Sequence, residues 1–119
     1  MAANIIIRES AIIHAAPSKV YDIIRDYRVS HPAILPTSLF KNLTVLEGGI
    51  GEGTVFTVET ETFGKRSTMT MRVTEPKRGE VLREQTPDGK LFTDFIFEPV
   101  DGGAHTRLTF HTEQVSAGG

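Results

Sequence analysis

The sequence predicts an α+β fold: a strongly curved antiparallel sheet of about seven strands, with two short helices after the first strand. Three observations predict it. The chain opens on a β-branched run, Ile5-Ile6-Ile7 and then Ala11-Ile12-Ile13. A short amphipathic segment follows a proline. After Pro36 the apolar period changes from helical to alternating, and the segments are joined by turns too short for parallel crossovers.

The opening run reads as a long strand that stops at Ala15-Ala16-Pro17. Pro17 suits the first position of a helix, where a missing N–H costs nothing. Val20, Ile23, Ile24 and Tyr27 recur at i, i+3, i+4 and i+7, one face of that helix, with Lys19, Asp22, Arg25 and Asp26 opposite. Ser30 is placed to cap a second short helix over 31–35, ended by Pro36. Strands are expected over 39–47, 54–63, 67–75, 80–85, 90–98 and 104–115. The turns between them are 48–53, Gly64-Lys65, 76–79, Thr86-Pro87-Asp88-Gly89 and Asp101-Gly102-Gly103. Alternation is clearest where Met69, Met71 and Val73 oppose Thr68, Thr70 and Arg72, and where Leu108 and Phe110 oppose Arg107, Thr109 and His111.

The chain has 119 residues, one domain's worth, so a single domain over 1–119 is expected. Hydrophobic residues make up 39% and charged residues 24%, which fits a globular domain and excludes collagen or a wholly disordered chain. Thirteen Lys and Arg against fifteen Asp and Glu give a net charge of -2, with no basic run to attract nucleic acid. Cysteine is absent, which excludes disulfides, thiolate metal sites and a Cys nucleophile. No window approaches the ~18 apolar residues of a membrane helix, and Arg8 and Glu9 interrupt the opening run before it resembles a signal peptide. A cytoplasmic protein without stable membrane insertion is expected.

Residues 10–27, SAIIHAAPSKVYDIIRDY, are similar to the first strand and "A-P-x-x-V-[WY]" helix start of the START-like, or SRPBCC, superfamily. Gly48-Gly49-Ile50-Gly51-Glu52-Gly53-Thr54 resembles its Gly-rich turn. The order of elements matches over essentially the whole chain. The resemblance implies a helix-grip fold of the birch-pollen-allergen and polyketide cyclase/dehydrase-like kind. It also implies that a small hydrophobic or lipid-like ligand lies between sheet and helices, with no cofactor. The family's long C-terminal helix has no counterpart before Gly119, so the expectation is a C-terminally incomplete domain with an open sheet face. A homodimer closing on that face is the expected remedy, because monomers rarely leave a large apolar patch exposed.

The ligand-binding residues expected from the stripe and the resemblance are Tyr27, His31, Leu35, Phe56, Val58, Met69, Met71, Phe95 and Phe97. Alternating apolar positions are more often plain core, and both roles can coexist. Tyr27 or His31 would supply polar selection. Glu59, Glu61, Arg72, Arg83, Asp94, Arg107 and Glu113 fall mostly on one parity and read as a solvated face. Glu59 and Arg72 are the best candidates for an inward exception. The glycines of 48–53 lie between strands, not before a helix, so they read as a hairpin with positive φ rather than a phosphate cradle. The four histidines show no metal spacing, since His105 and His111 would sit about 20 Å apart on one strand. No catalytic residue emerges. Ligand binding is the leading reading, ahead of a dimerising interaction module and a cyclase/dehydratase-like enzyme.

Overall fold

The computed structural model describes residues 4–29, 40–62 and 64–115. Strand β1 (Asn4–Ile13) leads into helix α1 (Pro17–Ile24). Strands β2 (Phe40–Glu47), β3 (Val55–Thr62), β4 (Lys65–Lys77), β5 (Val81–Gln85), β6 (Leu91–Val100) and β7 (His105–Val115) follow. They form one sheet of seven strands in the order β1-β7-β6-β5-β4-β3-β2, antiparallel throughout. The hairpin turns make β2 to β7 a meander, and β1 closes onto its last strand. The second helix expected over 31–35 lies outside the described residues, as do residues 116–119.

Cross-strand partners share a face, so the register sorts the side chains. Val58 faces Met69, Phe56 faces Met71, Leu82 faces Phe95, and Phe97 faces Leu108. These residues and Val73 form the inner face, against which α1 packs, and they make up most of the core. The expected stripe is therefore one continuous surface across β3 to β7. Glu59 and Arg72 lie on the outer face, opposite Thr68 and Gln85, so the inward exception considered for them does not occur. On that outer face Arg83 grips Asp94 through two hydrogen bonds of 2.7 and 2.9 Å.

Two expectations need correction. Pro76 was expected in a turn, yet β4 continues to Lys77. The register shifts between Thr74 and Lys77, and a proline without an N–H is tolerated where such a bulge interrupts the ladder. The buried face of α1 is Val20, Tyr21 and Ile24, whereas Ile23 is 39% exposed. The helix ends at Ile24, with the Arg25 N–H closing on the Tyr21 carbonyl, so Tyr27 reaches the core from beyond the helix.

What holds that post-helical segment is the glycine loop. The Tyr27 N–H donates to the Gly49 carbonyl at 2.8 Å, and the Gly51 N–H donates to the Arg25 carbonyl at 2.8 Å. Gly51 has φ +64°, and a Cβ there would lie 2.3 Å from Arg25 Nη2 and 2.4 Å from Glu75 Oε1. The loop is thus a clasp on the end of α1, and its glycine is required by both backbone sign and space. Gly51→Ala is expected to lower stability by roughly 1–3 kcal/mol, read as a lower thermal midpoint. An unchanged midpoint would show that the clasp does not bear on the fold.

Candidate functional site

The segment from α1 to the glycine clasp carries two tyrosines onto the inner face, and each meets a glutamate. Tyr21 packs edge-on against Phe97 at 4.9 Å, and its hydroxyl donates to Glu75 at 2.5 Å. Arg25 Nη2 donates to the other Glu75 oxygen at 3.1 Å, as does the Glu52 N–H at 2.8 Å. Burial pushes the Glu75 carboxyl upward, but these donors outweigh it and hold the group below its usual 4.5. Burial and then Glu75 push the Tyr21 phenol up to about 12. So well matched a carboxylate pins the helix to the bulge of β4. A shallow groove of about 210 Å³ runs beside it, lined by Ser18, Tyr21, Asp22, Arg25, Arg78 and Gly79, but it touches none of the expected ligand residues except through the neighbouring helix.

The second pair lies deeper. Tyr27 is 0% exposed, with its ring stacked on Phe56 at 4.8 Å. Its hydroxyl donates to Glu84, which stands on β5 between Val73 of β4 and Thr93 of β6. Burial raises the Glu84 carboxyl from 4.5 to about 7, with the Tyr27 hydrogen bond pulling the other way. Burial, then the adjacent Glu84, holds the Tyr27 phenol well above 10. A carboxyl that changes charge near neutral pH is thus set in the floor of an apolar face.

Around it, Phe56, Val58, Met71, Phe95 and Phe97 are buried in the core, and Met69 is half-buried beside them. His31 and Leu35 lie outside the described residues. The far end of the same face is open: Phe110 is 45% exposed, and Ile5 and Ile7 are each 55% exposed. Phe110 packs edge-on against Phe95 at 5.1 Å, which joins the open region to the covered floor. Among the described residues, no group of three or more His, Asp or Glu is placed to hold a metal ion. His14 stacks on His105 at 4.7 Å and His105 bonds Asp101 at 2.9 Å, so these two histidines finish the β1–β7 end of the sheet.

No protein-family model matches the chain, and no curated protein does. Solved structures do. The protein KanY superposes with a TM-score of 0.83 at 25% identity, over 98% of this chain and 78% of its own. Ara h 8.0201 superposes with a TM-score of 0.65 at 18% identity, over 98% and 80%. Norcoclaurine synthase from Thalictrum flavum, solved in complex with dopamine and hydroxybenzaldehyde, gives a TM-score of 0.73 at 12% identity, over 98% and 72%. The fold is that of the START-like (SRPBCC) superfamily. In this START-like chain the helix-grip arrangement is the one expected, with α1 across one end of the inner face.

Reading the sequence for alternation misses Glu84, because β5 (VLREQ) has no apolar parity, and Glu75, because the register of β4 shifts between Thr74 and Lys77. A signal was there. Folding 80–85 onto 90–98 about the Pro87-Asp88-Gly89 turn sets Arg83 opposite Asp94, which leaves Leu82 and Glu84 together on the other face. In this START-like core the folded state binds a proton on Glu84 more tightly than the unfolded chain does. The Glu84 contribution to stability is therefore full below pH 4.5 and declines as pH rises toward 7, by at most about 3 kcal/mol at ~1.4 kcal/mol per pH unit. Urea midpoints measured from pH 5 to 8 are expected to fall in the wild type and to stay flat in Glu84→Gln. Parallel curves for the two proteins would refute an inward, proton-holding Glu84.

Proposed function

We propose that the chain binds a small hydrophobic or amphipathic molecule on the inner face of its sheet. One observation carries the reading: Ile5, Ile7 and Phe110 stay exposed on the face whose other end is the packed floor around Tyr27 and Glu84. Exposed apolar surface of this kind, continuous with a buried polar pair, suits a ligand with an apolar body and one polar end. The START-like fold supports it, since a neighbour of the same architecture is solved with two small aromatic molecules bound. Met69, Phe95 and Phe110 would supply the walls, at about 25 cal/mol per Å² of apolar area covered. The remaining residues expected at the site, Tyr27, Phe56, Val58, Met71 and Phe97, would form its floor.

A second reading is favoured by Glu84 itself. An inward carboxyl raised to about 7 is suited to general acid–base catalysis on a bound carbonyl compound, as a cyclase/dehydratase-like enzyme needs. It requires the same binding event first.

Nile red, a neutral apolar dye, tests that event. We expect saturable fluorescence enhancement at about one dye per chain, with Phe110→Ser weakening affinity roughly tenfold, the loss of some 50 Å² of apolar contact. Enhancement that never saturates, or that ignores Phe110→Ser, would contradict the proposal. A dimer closing on this face would exclude the dye, so sedimentation at two concentrations is the companion measurement.

A further inference from the structure

The sheet has two edges, and they differ. β2 forms one, and its ladder to β3 is broken between Lys41 and Thr44 and again between Val45 and Glu47. Asn42 stands in the first break with φ +51°. Such bulges are a means by which sheets blunt an edge against further pairing. β1 forms the other edge. It runs ten residues against β7 in unbroken register, with neither proline nor lysine. Ile5 and Ile7 on its inner side, and Ile6 and Ile12 on its outer side, are each roughly half exposed. The free backbone groups of this edge can be named. The Val115 N–H donates to the Lys90 carbonyl at 2.7 Å, at the end of the β6–β7 ladder. Antiparallel bonding alternates along a strand, so odd-numbered residues of β7 turn their amides to β6 and even-numbered ones to β1. Through the β1–β7 register, Ile5, Ile7, Glu9, Ala11 and Ile13 then bond to β7. Ile6, Arg8, Ser10 and Ile12 point their N–H and C=O groups away from the sheet, and among the described residues no strand lies on that side.

An unblunted edge of this kind accepts one more strand, and the residues of β1 select which. A second β1, related by a two-fold axis perpendicular to the sheet, keeps inner side with inner side, so residues of equal parity oppose each other. With Glu9 on the axis, Ile6 opposes Ile12 of the second copy, Ile5 opposes Ile13 and Ile7 opposes Ala11. Every apolar residue then meets an apolar one, on both sides of the sheet. With Arg8 on the axis instead, Ile6 would meet Ser10 and Ile7 would meet Glu9. We infer that β1 is a dimerisation edge, at which two copies of the chain pair antiparallel about Glu9 and join their sheets into one. The outward groups of Ile6 and Ile12, and of Arg8 and Ser10, exchange hydrogen bonds across the axis. The pairing buries about 1,000 Å² in total, near the lower limit of specific interfaces, so a dissociation constant of tens of micromolar is expected. The two Glu9 carboxylates oppose each other on the axis and weaken it. This dimer leaves both inner faces open, unlike one that closes face to face, and it does not depend on ligand binding.

Sedimentation equilibrium of the whole chain from about 2 to about 300 μM tests it. The wild type is expected to pass from monomer to dimer across that range. Ile6→Lys, at an exposed position, should weaken association by about tenfold or more. Glu9→Gln should strengthen it by about threefold. Phe110→Ser, on the inner face away from the edge, should leave it unchanged. Amide hydrogen exchange on the wild type gives a readout that needs no variant. The amides of Ile6, Arg8, Ser10 and Ile12 should become protected as concentration rises, while those of β2 stay as they are. A chain that remains monomeric throughout overturns the inference. So does a dimer that survives Ile6→Lys, is indifferent to Glu9→Gln or is lost in Phe110→Ser, and so does protection that appears on β2 instead.

Discussion

Burying the Tyr27 ring is the constraint on which the rest of the structure depends. The residue lies beyond the end of α1, where no helical hydrogen bonds hold it, yet it is fully covered. Its backbone is fixed by the Gly49 carbonyl and its ring by Phe56. With both ends of the residue fixed, the hydroxyl must find a partner inside the protein, because a buried unsatisfied O–H costs about 1–3 kcal/mol. Glu84 is that partner. A carboxyl placed there to satisfy a phenol inherits the burial that raises it, so the packing of one aromatic ring sets the chemistry of the site.

The two tyrosine–glutamate pairs show how environment divides identical side chains. Glu75 sits at a bulge beside Arg25 and the Glu52 N–H, and it is held ionised. Glu84 sits in a regular ladder between Val73 and Thr93, and it holds its proton toward neutrality. The first anchors the helix. The second is left as the polar feature of an apolar face whose far end, at Ile5, Ile7 and Phe110, remains uncovered. A START-like sheet of this kind therefore presents a rigid floor and an open wall, and the proposed ligand joins the two.

Much of the fold was legible because local pattern and tertiary pairing agree in it. Met69, Met71 and Val73 alternate strictly and do share the inner face, and the turns at Gly64, Thr86–Gly89 and Asp101–Gly103 fall where glycine, proline and aspartate allow them. Pro17 does open α1. Less was legible where a residue's role depends on partners distant in sequence. Tyr27 matches the helical spacing but is buried through Gly49, more than twenty positions later. The glycine loop announces its positive φ angles, but nothing local says that it clasps Arg25 and Tyr27. In the candidate site, the aromatic and methionine floor could be read from alternation, whereas Glu84 could not. Its strand is only five residues long with no apolar parity, and its inward direction follows from pairing with β6. His31 and Leu35, also expected at the site, lie outside the described residues.

The central claim is that Glu84 is an inward, half-buried carboxyl whose proton affinity is raised by desolvation at its place against Tyr27. Its ¹³C carboxyl chemical shift, followed from pH 3 to 9 in the ligand-free protein, tests that claim most directly. The Glu84 resonance should titrate near pH 7, while Glu75 titrates below 4.5 in the same sample. A Glu84 midpoint at the ordinary carboxylate value, indistinguishable from the exposed glutamates, would contradict it.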